Sequence, residues 1–376
     1  MNHSVQPLKR VLMVFSGSYA GHYARDLARG FDDLKVEIGF ISLSGSPKPF
    51  WIGGEFSRDL SDSFKPALSP IRMILKTFSV VRKFRPDIIQ THLFYGGIVG
   101  LIVGKILRIP VVHTRHHIDE HYQAGTSIHR FLDRLTAKHS IHVVVCSEAA
   151  KKWLVQMEGQ KPSHITVINQ GFDFDFLTPT PEVIEKTKLE LGFTKSKFDI
   201  VCVARYSKAK GQNYLLAALN ELVKTIPNIS LTLMGPGDSE WLVKLVREYG
   251  LEEHVRILSS RADAPACIAA ADMVIHPSLA DSFSQLLIEA QAVGGLLIAS
   301  DIAAAREQIL DGKTGLVIPP RDPKAIVEAV RFLIRNPELA KSMRQSGPPH
   351  VRERFTWQRM VAEEIDCLSK FLNGKR

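Results

Sequence analysis

Two carboxylates and two cations hold most of the chemical content of this 376-residue chain. Asp281 and Glu289 stand within HPSLADSFSQLLIEAQAVGG, residues 276 to 295. The apolar run before them, Asp272–Pro277, reads as a buried strand, and Leu286–Ala292 has helical character. Asp281 therefore falls in the loop at a strand's carboxyl end, and Glu289 about one turn into the next helix. Ligands of open α/β sheets bind at that edge. A carboxylate there can accept hydrogen bonds from more than one hydroxyl, as a sugar or a ribose requires. Earlier in the chain a second apolar run, Asp199–Ala204, leads into RYSKAKG, residues 205 to 211. Arg205 and Lys210 follow that strand end, and Gly211 leads into a helix over Gln212–Val223. Cations beside a helix N-terminus suit a diphosphate. A site with a diphosphate at one end and polyols at the other fits a nucleotide sugar.

Each of these residues also has a plainer reading. Arg205 and Lys210 could be solvated loop charges, and Glu289 an ordinary helix glutamate. Against that, Leu286, Leu287, Ile288, Ala290, Ala292 and Val293 surround Glu289 with apolar neighbours. Ser282, Phe283 and Ser284 are expected to present backbone N–H groups at the helix start. The plainer view makes Ser282 and Ser284 simply good N-cap residues. Gly235 and Gly237 follow the strand Ser230–Met234, where glycine permits a ligand to approach the backbone or merely forms a tight turn.

The pattern R-x4-K-G, then a Gly-rich turn, then acid-x7-Glu with a small residue and Phe after the first acid, resembles the retaining family 4 glycosyltransferases. The resemblance covers nearly the whole chain. It implies the glycosyltransferase-B fold: two doubly wound Rossmann-like domains facing across a cleft. Its implied roles are Arg205 and Lys210 on the diphosphate, Glu289 on the ribose hydroxyls and Asp281 on the donor hexose. It puts Arg261 near the base and Gly17 and Gly21 near the diphosphate and acceptor. In HTRHH, residues 113 to 117, it puts His116 near the reacting sugar. The chain departs from the family in three places. The first acid is Asp281 and not Glu, Ser282 replaces a Gly, and SGSYAGH, residues 16 to 22, replaces an N-terminal Gly-Gly loop.

Composition is that of an ordinary globular protein, 45% hydrophobic and 23% charged. The four cysteines, Cys146, Cys202, Cys267 and Cys367, are scattered and form no CxxC, which suits reduced structural thiols in a cytoplasm-like compartment. The N-terminus has no secretory pattern. The most apolar stretch, residues 96 to 112, is broken by Lys105, Arg108 and Pro110, and reads as a helix and a strand, not a membrane span. Five histidines between His113 and His129, with Asp119 and Glu120, make a metal site conceivable, but the resembled chemistry needs none. The DFD at 173–175 reads as interdomain structure. No tightly bound cofactor and no divalent metal are expected.

Alternating strands and helices predict parallel sheets covered on both faces. Strands are expected over Val11–Phe15, Val36–Leu43, Asp87–Thr91, Pro110–Thr114, Ile141–Cys146 and Ile165–Ile168. A second set is expected over Asp199–Ala204, Ser230–Met234, Val255–Leu258, Met273–His276, Gly295–Ala299 and Leu316–Ile318. Pro162, Gly171, Pro179 and Pro181 punctuate a linker. The expected domains are 1–180, binding acceptor, and 181–355, binding donor, with a helix over 356–376 returning to the first domain.

The expected function is retaining transfer of a hexose-type sugar from a nucleotide-diphosphate donor to a glycan, lipid-linked or other envelope acceptor. A 2-epimerase-like isomerase and a non-catalytic sugar-nucleotide-binding subunit remain alternatives. Net charge is +9, and the first half carries most of it, which suggests an anionic acceptor or lipid surface there in preference to nucleic acid. Residues 65 to 85 combine six Lys or Arg with Ile71, Ile74, Leu75, Phe78, Val81 and Phe84 at helical spacing. They read either as a core helix with a basic edge or as a peripheral contact with anionic lipid. The expected placement is cytoplasmic, and the second reading makes it peripheral on the membrane's inner face.

Overall fold

The computed structural model describes residues 8–17, 21–44, 55–61, 69–116, 127–194 and 196–372. The chain forms two compact units, Met1–Phe172 with Phe355–Arg376, and Asp173–Arg354.

The first unit holds a seven-stranded parallel sheet in the order β3-β2-β1-β4-β5-β6-β7. Its strands are β1 Arg10–Phe15, β2 Glu37–Ser42, β3 Ser57–Asp59, β4 Ile88–His92, β5 Val111–Arg115, β6 His142–Val145 and β7 Ile165–Val167. Runs such as VLMVF in β1 are buried throughout, as strands covered on both faces must be. The sequence pattern missed β3, whose SRD has neither apolar nor β-branched residues; the edge position tolerates that. Helices α1 His22–Asp33, α2 Pro70–Phe84, α3 Leu93–Leu107, α4 Ser127–His139 and α5 Glu148–Glu158 connect the strands.

The second unit holds a six-stranded parallel sheet, β10-β9-β8-β11-β12-β13. Its strands are β8 Phe198–Val203, β9 Ile229–Met234, β10 Val255–Leu258, β11 Met273–His276, β12 Leu297–Ser300 and β13 Leu316–Ile318. In both sheets the strand order reverses beside the unit's first long strand, leaving a crevice at the carboxyl edge.

The chain leaves the first unit at Phe172 and not near residue 180. The Phe172 N–H donates to the Phe355 carbonyl at 2.9 Å, so the outgoing and returning segments run side by side. Residues 173–180 serve the second unit. Asp173 caps the short helix Phe174–Leu177, and Arg352 donates to Thr178 Oγ1 at 2.7 Å. The helix Pro337–Arg354 continues through Pro348 and Pro349, where a sequence pattern would end it. Burial of Met343, Gly347 and Val351 along one face holds it together past that point. The last helix, Trp357–Ser369, packs on α1 within the first unit's core, burying Trp357, Met360, Val361, Cys367 and Leu368. All four cysteines are buried and free.

Candidate active site

The carboxyl edge of the second sheet is assembled by backbone contacts that need glycine. After β8 the chain turns at Gly211, φ 70°, into the helix Gln212–Leu222. A Cβ on Gly211 would overlap the Pro277 carbonyl, and one on Gly235 would overlap that of Ala204. The loop after β11 can therefore lie directly on the loop after β8. The Leu279 N–H donates to the Ala209 carbonyl at 2.8 Å. The loop after β9 is pinned similarly, with the Tyr206 N–H donating to the Pro236 carbonyl at 2.8 Å. Gly237, φ 117°, completes that turn against Tyr206.

This contact brings the two sequence motifs together. Lys210 Nζ lies 2.7 Å from Asp281 Oδ2, and His276 Nε2 lies 3.3 Å from the same oxygen. Burial pulls the Asp281 carboxyl upward, but the His276 hydrogen bond and the charge of Lys210 outweigh it and hold it below its ordinary range. Burial pushes His276 the other way, below its usual value, so it serves Asp281 as a neutral N–H donor. Arg205 is exposed at the end of β8, and its carbonyl accepts from Gln212 Nε2 at 2.9 Å.

Glu289 stands in the middle of the helix Gln285–Ala292, among buried Leu286, Ile288 and Ala290. Burial raises its carboxyl to about 7. Among the described residues no cation or donor engages it. A carboxyl so placed, with no partner of its own, has two acceptor oxygens to offer a ligand.

Two of the expected site residues have partners within the protein. The Ser284 N–H was expected to face a phosphate, but it donates to Gln308 Oε1 at 3.2 Å, while Gln308 Nε2 donates back to the Ser284 carbonyl at 3.2 Å. Its hydroxyl does not cap the helix either; it lies 3.3 Å from His276 Nε2. Gln308 arrives from the helix Ala303–Gln308, and no local pattern announces that bond. Ser282 and Phe283 are buried beside it. Arg261, expected near the base, is committed to carboxylates, 2.6 Å from Asp263 and 2.9 Å from Glu190. The Asp263 hydrogen bond, then Glu190, raises its pKa and fixes the guanidinium.

In the first unit His116 follows β5. Its Nε2 lies 2.9 Å from His92 Nδ1, and its Nδ1 lies 3.4 Å from Gln170 Nε2. His92 stacks on Phe15 with ring centroids 4.1 Å apart. Burial, then the neighbouring His116 and His113, keep His92 well below its usual pKa. His113 is buried on Thr91 Oγ1 at 2.8 Å, and burial lowers it to about 3. The residue after His92, Leu93, has φ 64°, a left-handed conformation costing about 1 kcal/mol or more in a non-glycine residue. No described atom would meet a Cβ on Gly17 or Gly21. Their glycines answer no packing need among the described residues. His117, Asp119, Glu120, His121 and the centre of SGSYAGH lie outside the described residues. Asp175 of the DFD is exposed and pairs with Arg352 at 3.5 Å. Among the described residues no three His, Cys, Asp or Glu side chains could hold a metal ion.

The sequence reading missed Glu364. It sits fully buried on the last helix, where its carboxylate accepts from Tyr23 Oη and Gln90 Nε2, both at 2.9 Å. Burial raises it to about 7 against those two hydrogen bonds. Tyr23 in turn sets its ring edge on His116, centroids 5.1 Å apart. The signal was available only as an acid inside the apolar stripe of an amphipathic helix.

The geometry agrees with comparisons to known proteins. Residues 183–349 match the family described as Glycosyl transferases group 1, and residues 20–176 match Glycosyltransferase Family 4. The D-inositol 3-phosphate glycosyltransferase of Corynebacterium aurimucosum is 28% identical over 72% of this chain and 68% of that one. The glycogen synthase of Mycobacterium tuberculosis is 24% identical over 92% of this chain and 83% of that one. Among solved structures, Anabaena HepE in complex with UDP and glucose superposes with a TM-score of 0.82 at 21% identity, covering 97% of this chain and all of that one. Sucrose-phosphate synthase from Thermosynechococcus elongatus also gives 0.82, at 18% identity over 98% of this chain and 100% of its own. These likenesses share the glycosyltransferase-B fold of two Rossmann-like domains seen here as two parallel sheets. With both halves matched and the acid-x7-Glu and R-x4-K-G motifs joined at one sheet edge, the chain belongs to the group 1, family 4 glycosyltransferases.

Proposed function

We propose that this glycosyltransferase moves a hexose-type sugar, with retention at the anomeric carbon, from a nucleotide-diphosphate donor to a glycan, lipid-linked or other envelope acceptor. The observation that carries the reading is the meeting of Lys210 with Asp281, beside Arg205 and an unpartnered Glu289. Arg205 and Lys210 neutralise the charge that builds on the diphosphate as the glycosidic C–O bond breaks. Fixed cations in such a role act mainly in the transition state and are worth several kcal/mol. Glu289 accepts from the ribose hydroxyls, and Asp281, held ionised by its neighbours, accepts from a donor-sugar hydroxyl. Ser282, Phe283, Gly235 and Gly237 line the donor side. His116, held by His92 and by a longer contact to Gln170, exchanges the Gln170 contact for a sugar hydroxyl on the acceptor side. Retention follows a front-face course, in which the departing phosphate oxygen accepts the acceptor's proton.

The reaction, on this reading, needs no tightly bound cofactor and no divalent metal, so transfer persists in excess EDTA. Structural neighbours hold UDP and UDP-glucose, which makes UDP-glucose the first donor to try. The protein works in the cytoplasm, peripheral to a membrane. Among the described residues no helix is long and apolar enough to cross one. The test is incubation with a panel of nucleotide sugars and candidate acceptors, with the anomeric configuration of any product read by NMR. Donor epimerisation without transfer, or binding without turnover, overturns the reading in favour of an isomerase or a binding subunit.

A further inference from the structure

The first unit has a basic pocket that the donor and acceptor sites do not use. Helices α4 and α5 both run back from the carboxyl edge of the sheet, and the chain between them and β7 closes the opposite edge. There Phe131, Arg134, Leu135 and Lys138 from α4 face Gly159, Gln160, Lys161 and His164, around a pocket of about 570 Å³. Residues 131, 134, 135 and 138 share one helix face.

The charges around it are unbalanced. Arg134, Lys138 and Lys161 are all exposed; Arg134 adds its charge to that of Arg115 on the buried Glu158, and no acid within salt-bridge distance of any of the three is seen among the described residues. The one acid lining the pocket, Glu158, is buried, and Arg115 donates to both its oxygens at 3.2 and 3.4 Å. Asp133 closes the other side of the same guanidinium at 2.8 Å. Arg134 lies over Gly159, whose φ of 69° turns the chain there.

The surface leading to the pocket is basic and apolar together. Helix α2 packs on α3, and α3 on α4, along one face of the sheet. The three helices contain a single acid, Asp133, already buried on Arg115. They expose Ile71 and Leu75 of α2, Ile106 of α3, and Ile128 and Phe131 of α4, the last two at 69% and 61%. Arg72, Arg82, Lys83 and Lys105 are exposed among them. A soluble phosphorylated ligand would need the cations but not this apolar rim. Large side chains beside unpaired cations, without exposed acid, complement an anionic bilayer, where acyl chains lie just beneath phosphate.

We infer that the pocket between the ends of α4 and α5 is a headgroup site for an anionic phospholipid. Its phosphate lies between Arg134, Lys138 and Lys161, and Phe131 and Ile128 enter the interface beside it. The inference extends the peripheral-membrane part of the proposed function and is independent of the sugar-transfer part.

The test is co-sedimentation of the full chain with vesicles of phosphatidylcholine alone or mixed with phosphatidylglycerol, at low salt. Three proteins are compared: wild type, the triple variant Arg134→Gln, Lys138→Gln, Lys161→Gln, and the double variant Ile128→Ser, Phe131→Ser. All five positions are exposed, and circular dichroism and Tm confirm the fold. Wild type should prefer anionic vesicles, and the triple variant should bind them on the order of a hundredfold more weakly, at roughly fivefold per cation. The double variant should bind both vesicle types less tightly while keeping the preference for anionic ones. Equal binding of wild type and triple variant overturns the pocket but leaves peripheral association through α2 intact. A wild type that binds no vesicle overturns both. In a parallel arm, inorganic phosphate and glycerol phosphate are titrated against thermal stability. A shift there, lost in the triple variant and unaccompanied by vesicle binding, overturns the lipid assignment in favour of a soluble phosphate ester.

Discussion

The carboxyl of Glu289 makes donor binding depend on pH in a calculable way. Burial places its pKa at about 7, with no partner among the described residues to pull it down. Ribose hydroxyls donate well only to the ionised form. Below its pKa the carboxyl must therefore lose a proton before the donor can bind fully, and affinity falls about tenfold between pH 8 and pH 6. Glu289→Gln removes that dependence. It also replaces two charge-assisted hydrogen bonds by neutral ones, at a cost of about 1 kcal/mol each, so donor affinity at pH 8 falls roughly 30-fold. Isothermal titration calorimetry at pH 6, 7 and 8 with the donor found in the transfer screen reads both effects. A nucleotide sugar is preferable to a free nucleoside diphosphate, whose terminal phosphate titrates in the same window. Buffers of different ionisation enthalpy should report release of nearly one proton at pH 6 in wild type and none in the variant. A wild-type affinity flat from pH 6 to pH 8, or the same slope in Glu289→Gln, refutes the assignment.

Other consequences are testable alongside. Arg205→Ala and Lys210→Ala should each lower kcat by about two orders of magnitude or more with Tm little changed; activity within tenfold of wild type in both would dismiss them from the chemistry. Asp281→Asn should impair transfer while sparing affinity for the nucleoside diphosphate, and equal loss of nucleotide affinity in Asp281→Asn and Glu289→Gln would show their roles wrongly divided. Glu364 is an acid whose folded pKa, about 7, lies above its unfolded value, so its contribution weakens the fold as pH rises from about 4.5 towards 7. Glu364→Gln should therefore gain relative to wild type on going from pH 5 to pH 8, by up to about 3 kcal/mol, and parallel Tm profiles would contradict this. Gly211→Ala should cost stability of more than about 1 kcal/mol and unseat Lys210 from Asp281, because φ is positive and the Pro277 carbonyl blocks the methyl; unchanged Tm and kcat would refute that.

The parallel-sheet architecture was legible because most strands are short apolar runs separated by amphipathic helices, a pattern that few folds share. Lys210 and Asp281 could be placed at strand ends from local sequence alone. Their contact could not, since it depends on two loops lying against each other through Gly211 and the Pro277 carbonyl. The bond of Ser284 was hidden for the same reason: its N–H is satisfied by Gln308, a residue of a different helix. Arg261 was placed by region, and only the structure reveals the two carboxylates that hold it. Glu364 escaped notice because a buried acid and an exposed one look alike in a helical stripe until the helix has a neighbour.

The first unit is discontinuous in sequence, and that has a consequence for how the chain is made. Phe172 leaves it and Phe355 returns, so the whole of the second unit is synthesised in between. Until the last helix emerges, α1 lacks the side chain that sits against Gly30, where Val361 leaves no room for a Cβ. Tyr23 and Gln90 also lack the Glu364 carboxylate they share. The second unit is unbroken from Asp173 to Arg354, so all of its residues are in hand before the first unit's last helix is made. The first unit is then completed only after the second has been made, its sheet waiting on the helix Trp357–Ser369.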